Sequence, residues 1–349
     1  DGTTLNETNW NIEVNNSGGG NSELQYYIKD NISIGKEPVS GENCLVITAR
    51  KENYGNRTCT SGRLNTSNKM SFKYGKMEAR IKLPKTANGL WPAFWMLGAD
   101  YSSVGWPRSG EIDIMEMGNS DGIKNGTQEF FFNGACHWGY YQPAGWYPNY
   151  PKATTNSYSL QDDFHLFTII WDSQYIRMYL DLDKYPDAKP YYEMGITAKA
   201  SDIDPYYYFN KPFFVILNLA VGGNFTQIWD INSITALAQG EAKMYVDYVK
   251  VYQKGDSGEE YSGPTLSSIN EQNVITNQFY IYPNPATHYI HIDGGDTPSR
   301  IDFFNLSGQE IMVSTNTNVV DISALLAGNY ILKIQRRDGT SEVHHLIKR

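Results

Sequence analysis

Gly110-Glu111-Ile112-Asp113-Ile114-Met115-Glu116-Met117-Gly118 is the stretch whose reading decides this chain. Glycines bracket it, and apolar residues interleave with three acids, the pattern of a half-buried strand. On a regular strand side chains repeat every two residues, so Glu111 and Asp113 share a face. Glu116 lies an odd number of steps from Glu111 and would point the other way. One β-bulge near Ile114-Met115 restores the parity and turns all three carboxyls to one side.

Three readings of that arrangement stay open from the residues alone. With one residue absorbed by the bulge, the Glu111 and Glu116 Cα atoms lie roughly 13 Å apart. Inward-leaning side chains would bring the carboxyls to about 5–5.5 Å, where one can attack an acetal carbon while the other protonates the leaving oxygen. Asp113 between them would brace the attacking group, and like charges this close would raise at least one pKa. The second reading is a hard-cation site. The third is a solvated strand face, although three acids on one face repel each other.

Working outward, the flanks also read as strands: Cys44-Leu-Val-Ile-Thr-Ala, Gly75 to Leu83, Phe167 to Trp171, Tyr175 to Leu180, Phe213 to Leu219 and Met244 to Tyr252. Turn clusters of Gly, Asn, Asp and Pro separate them, and no stretch sustains a helical period. The fold class is therefore all-β, an antiparallel sandwich with one face free as a cleft. Every Trp falls at or before Trp229, and Lys254 to Ser268 is polar and glycine-rich. This marks a domain over 1–253, a linker over 254–276 and a small C-terminal β-sandwich over 277–349.

Composition narrows the partners. The 349 residues carry 29 Lys/Arg against 38 Asp/Glu, a net charge of −9. That balance excludes nucleic acid as the main partner, which needs clustered cations. No apolar run reaches the roughly 20 residues of a membrane helix, so no membrane span is expected. Aromatics reach 14%, with 8 Trp and 26 Tyr, side chains that line sheets or stack on sugar rings. The three cysteines, Cys44, Cys59 and Cys136, cannot all pair within one chain. A Cys44–Cys59 bridge and buried thiols both remain open.

The motif and its neighbours resemble glycoside hydrolase family 16, in particular the bacterial laminarinase-like endo-β-1,3-glucanases. The bulged Glu-x-Asp-x-x-Glu signature is matched by Glu111, Asp113 and Glu116. Matching blocks run in family order: Asn21 to Tyr27, Tyr74 to Pro84, Gly89 to Gly98, Gly105 to Glu116, Asp163-Phe-His, Leu217 to Phe225 and Tyr245 to Tyr252. The resemblance implies a jelly-roll sandwich and a retaining double displacement. Glu111 would be the nucleophile, Glu116 the acid/base and Asp113 the helper. It further implies that His137 supports the carboxyls, that Trp91, Trp95 and Trp106 bound or stack sugar rings, and that Asn21, Gln25 and Asn218 contact hydroxyls. Catalysis would need no cofactor. A structural calcium would lie away from the cleft, with Asp247 as its side-chain ligand.

Two departures leave the polymer open. Cys136 stands directly before His137, and Tyr140 to Pro151 forms an aromatic insert that would reshape the product side of the cleft. β-1,3-Glucan ranks first, then mixed-linkage β-1,3/1,4-glucan, then galactans. A non-catalytic glucan-binding protein and a surface adhesin are the readings from other classes. The tail resembles the type A sorting domain of the type IX secretion system of Bacteroidetes, on Tyr282-Pro-Asn-Pro-Ala, Phe304 to Glu310, Leu326 to Ile334 and Lys348-Arg349. That implies export across the outer membrane, contact with the secretion machinery and a secreted or cell-surface location. The protein is expected to act as a monomer on a polysaccharide.

Overall fold

The structure, a computed structural model, describes residues 3–161, 163–264, 279–293, 297–337 and 341–349. The chain divides into two compact units, 1–264 and 265–349.

Two sheets make the first unit. One runs in the order Asn11–Ile12, Arg63–Asn65, Phe213–Val221, Leu90–Gly98, Glu111–Met117, Phe131–His137 and Asn149–Thr155, all antiparallel. The acidic motif thus sits well inside this motif sheet. The back sheet runs Tyr192–Gly195, Tyr175–Leu180, His165–Trp171, Gly75–Lys82, Glu241–Tyr252, Asn43–Arg50, Thr60–Ser61 and Tyr26–Tyr27. Its last pair is parallel. The inner faces interlock around Phe94, Ile112, Phe132, Phe167, Ile169 and Trp171, each nearly or fully sealed from solvent. Alternation of apolar and polar side chains makes this possible, because each strand gives one face to the core and the other to water. Only two short α-helices occur among the described residues, Tyr101–Val104 and Ser120–Asn125.

Part of the linker expected over 254–276 is built into the first unit. Glu260–Ser262 forms a strand paired with Ser71–Lys73. Its Tyr261 packs on the core, and the Gln253 side chain donates to the Glu260 carbonyl. One apolar residue between two polar ones gives too short an alternation to read as a strand. Residues 265–276 of the expected linker lie outside the described residues. All three cysteines are free and buried.

The second unit holds a three-stranded and a four-stranded antiparallel sheet. They enclose their own core of Phe279, Ile290, Ile301, Phe303, Leu332 and Ile334. This matches the small β-sandwich expected there. The strands Glu310–Thr315 and Val319–Asp321 add to those legible in the sequence.

Candidate active site

The expected bulge is present. Asp113 pairs with Ala135 and Glu116 with Asn133, so Ile114 and Met115 together face Gly134. On the other side Asp113 pairs with Trp95 and Met115 with Phe94, leaving Ile114 without a partner on either neighbour. Ile114 and Met115 both point into the core, each fully buried. Two consecutive inward residues are what flips the parity. Glu111, Asp113 and Glu116 consequently line one cavity of about 920 Å³ on the outer face of the motif sheet. Gly118 ends the strand at φ +98°, where a Cβ would stand 1.9 Å from the Leu90 carbonyl oxygen.

Tryptophans hold both glutamates. Trp106 Nε1 donates to Glu111 Oε2 at 3.0 Å, and Trp91 Nε1 donates to Glu116 Oε1 at 3.0 Å. His137 stands directly opposite Glu111 on the neighbouring strand, its Nε2 3.4 Å from Asp113 Oδ2. Asp113 Oδ2 has no hydrogen-bond partner although the residue is 4% exposed. Burial raises the Glu111 pKa to about 8, with the Asp113 charge adding to it and His137 and Trp106 opposing. Burial likewise lifts Asp113 to about 8. Glu116 is raised well above its usual value, by burial first and then by Asp113. Such a set stores protons at neutral pH, as an acid/base centre requires.

The sequence-derived contact residues separate into lining and scaffold. Asn21, Trp91, Trp95, Trp106, His137 and Asn218 all line the cavity. Gln25 does not. It is 1% exposed, its Nε2 donates to Glu23 Oε2, and its Oε1 accepts from the Val221 backbone. It braces the wall rather than contacting a ligand, because both ends of its amide are committed within the protein. Trp91 stacks on Phe225 at 4.5 Å, so one of its faces is packed. Trp95 carries the Arg63 guanidinium over its ring at 4.8 Å and donates to Asn218 Oδ1.

Sequence reading missed Glu23, Tyr27, Arg63 and Phe225, which also line the cavity. The Gly18–Gly20 run was the available signal for Glu23. Gly19 sits at φ +57°, and a Cβ there would meet the Glu23 carboxylate at 2.0 Å. The aromatic insert does reach the cleft. Tyr147 lines the cavity and stands edge-on to Trp106 at 4.7 Å, with Tyr141 at 5.5 Å beyond it.

Asp247, the expected calcium ligand, is engaged by a cation of the protein itself. Asp247 Oδ2 accepts from Arg80 Nη1 at 2.7 Å. A guanidinium there competes with a second cation for the carboxylate. The described trio with nearby ligand atoms is Glu111, Asp113 and His137, in the cleft itself.

A two-sheet β-sandwich with two half-buried glutamates facing one open groove is the arrangement a glycoside hydrolase uses. The comparisons agree. Residues 26–204 match the model of glycosyl hydrolases family 16. The chain is 35% identical over 255 residues to a beta-glucanase of Rhodothermus marinus, covering 70% of this chain and 79% of that one. It is 34% identical over 270 residues to glucan endo-1,3-beta-glucosidase A1 of Niallia circulans, covering 72% and 36%. A solved family 16 structure from a Bacteroides ovatus mixed-linkage glucan locus, holding a product, superposes with a TM-score of 0.62 at 37% identity, covering 71% and 97%. This chain belongs to glycosyl hydrolases family 16. It spans about a third of the Niallia protein, and about a third of a clotting factor G alpha subunit from Tachypleus tridentatus. Residues 280–349 match the secretion system C-terminal sorting domain, which indicates export to the cell surface or beyond. No helix among the described residues is long and apolar enough to cross a membrane.

Proposed function

We propose that the chain is an endo-acting, retaining β-glucanase whose first substrate is β-1,3-glucan. The observation that carries this is the Ile114-Met115 bulge, which turns Glu111, Asp113 and Glu116 into one cleft. In its carboxylate form Glu111 attacks the anomeric carbon, while protonated Glu116 gives its proton to the leaving oxygen. Glu116, then anionic, takes a proton from water, which attacks the same carbon and frees Glu111. The sugar keeps its β configuration through two inversions. Asp113, raised by burial, holds a proton between the glutamates and helps fix Glu111. Relatives carrying endo-1,3-glucanase names support the linkage.

A second reading is mixed-linkage β-1,3/1,4-glucan, favoured by the 37–38% identity to two Bacteroides ovatus family 16 structures, one of them from a mixed-linkage glucan locus. Reducing-sugar release from laminarin, barley glucan, lichenan and agarose decides between them, and binding to all without turnover would reject hydrolysis. We also propose that catalysis uses these carboxyls without a metal. Turnover with EDTA is expected to stay within about twofold of the untreated rate. A loss restored by added cation would reject this.

The Trp106–Tyr147 corner gives a further expectation. Burial and the Glu111 charge push the Tyr147 hydroxyl up to about 12, so it stays a neutral wall beside the nucleophile. An aromatic wall that holds ground state and transition state alike contributes to KM rather than kcat. Tyr147→Ala should raise KM about tenfold and change kcat by less than about threefold. An unaltered KM would remove Tyr147 from the binding surface.

A further inference from the structure

The bulge that aims Glu116 leaves a problem inside the protein. Ile114 pairs with neither neighbouring strand, and its side chain is fully buried. A carbonyl oxygen displaced from the ladder and sealed from water costs free energy unless a donor reaches it.

That donor comes from the other sheet. The Tyr191 hydroxyl donates to the Ile114 carbonyl oxygen across the core. Tyr191 precedes the Tyr192–Gly195 strand, and its own backbone N–H donates to the Met178 carbonyl at 2.9 Å. The residue is therefore fixed to the back sheet at one end and to the bulge at the other. Its ring stands edge-on to Phe132 at 4.9 Å. Room for the ring depends on the residue facing the bulge. A Cβ on Gly134 would stand 3.2 Å from Tyr191 Cε2 and 3.0 Å from Met178 Sδ. Glycine there lets the phenol approach.

We infer that Tyr191 is a positioning residue for catalysis: by binding the Ile114 carbonyl it locks the bulge in the register that turns Glu116 toward Glu111. Two alternatives compete at this strand. In the bulged register Ile114 and Met115 both point inward. In a regular register Glu116 would face the core, where an unpaired carboxyl is strongly disfavoured. That penalty excludes the regular register but leaves the bulge free to shift by fractions of an ångström. A hydrogen bond from a rigid, buried phenol removes that freedom. Tyr191 touches no substrate and acts through the backbone. The inference rests on the hydrolase reading for its kinetic consequence and on the fold alone for its structural one.

Tyr191→Phe tests it, since the ring stays and only the donor is lost. The expected result is a kcat lower by about 10- to 100-fold, because misplacing a reacting group by about 1 Å costs up to that much. KM should stay within about threefold and the melting temperature within a few degrees. Gly134→Ala, which crowds the same ring, should lower kcat in the same direction. The double variant should be no slower than the product of the single effects, since both act on one contact. Ile169→Val trims the same core but leaves the Tyr191 donor in place, and should lower the melting temperature while leaving kcat unchanged. A ¹³C titration of the carboxyls in free protein provides a readout without substrate, and Tyr191→Phe should displace the Glu116 curve. Wild-type kcat and titration in Tyr191→Phe would overturn the inference, as would an equal kcat loss in Ile169→Val. If the unmodified protein cleaves no glucan, the hydrolase reading fails separately, and the carboxyl titration still decides the role of Tyr191.

Discussion

Glu111→Gln and Glu116→Gln are each expected to lower glucan hydrolysis by about 10³- to 10⁵-fold, with the fold intact. The amide keeps the volume and the contact with the neighbouring tryptophan, so the loss reports chemistry rather than packing. The two positions separate when a small nucleophile and an activated aryl glucoside are supplied. With Glu111→Ala, azide fills the space left by the carboxylate and attacks from that side. One inversion then gives an α-glycosyl azide. With Glu116→Ala, the aryl leaving group departs unaided, Glu111 still forms the covalent intermediate, and azide intercepts it to give the β-product. Opposite anomers from the two variants are the expected result. The same anomer from both, or residual hydrolysis above a tenth of wild type in either glutamine variant, would reject the assigned roles.

The three acids were legible as a set because the motif breaks its own periodicity. Five steps between Glu111 and Glu116 cannot serve one face of a flat strand, so a shared face demands a bulge. The structure places it at Ile114-Met115. Long alternating strands such as Gly75–Lys82 and Glu241–Tyr252 were equally readable. What escaped were contacts set by tertiary approach. Gln25 sits two residues from Glu23 and reads as an equally polar wall residue, yet only Glu23 faces the cavity. Asp247 carries a calcium-like signature in a strand, but its partner Arg80 lies 167 positions away in sequence. Tyr191 offered no local signal at all, because its hydroxyl matters only once two sheets face each other. Pairings of this range depend on which strands become neighbours, and residue spacing does not encode that directly.

Glu111→Gln is also expected to stabilise the protein at alkaline pH while leaving it unchanged in acid. The sign follows from the direction in which the pKa moves. Glu111 has its pKa raised from 4.5 to about 8 in the folded state. Below about 4.5 the group is protonated in both folded and unfolded chains and exerts no penalty. As pH rises from about 4.5 through about 8, the unfolded chain ionises freely while the folded cleft resists, so stability is lost over that window. A tenfold change in acidity between the two states corresponds to about 1.4 kcal/mol. Water in the open cleft and shared protons with Asp113 reduce the total, leaving about 2–3 kcal/mol at pH 9. For a protein of this size that is a rise of about 5–10 °C in melting temperature. Glu37 supplies a control with the opposite sign. Its carboxylate accepts from Lys82 and from the Val39 and Ser40 backbone, and its pKa falls to about 2. Its contribution is present above about 4.5 and lost as pH falls toward about 2, a separate window. Melting temperatures of wild type and Glu111→Gln from pH 4 to 9 should therefore coincide at the acid end, diverge up to about pH 8 and level off beyond it. Curves that stay parallel, or a variant less stable at pH 9, would show that the buried carboxyls are not held against their ionisation. The strain that readies this cleft for proton transfer would then have to be sought elsewhere.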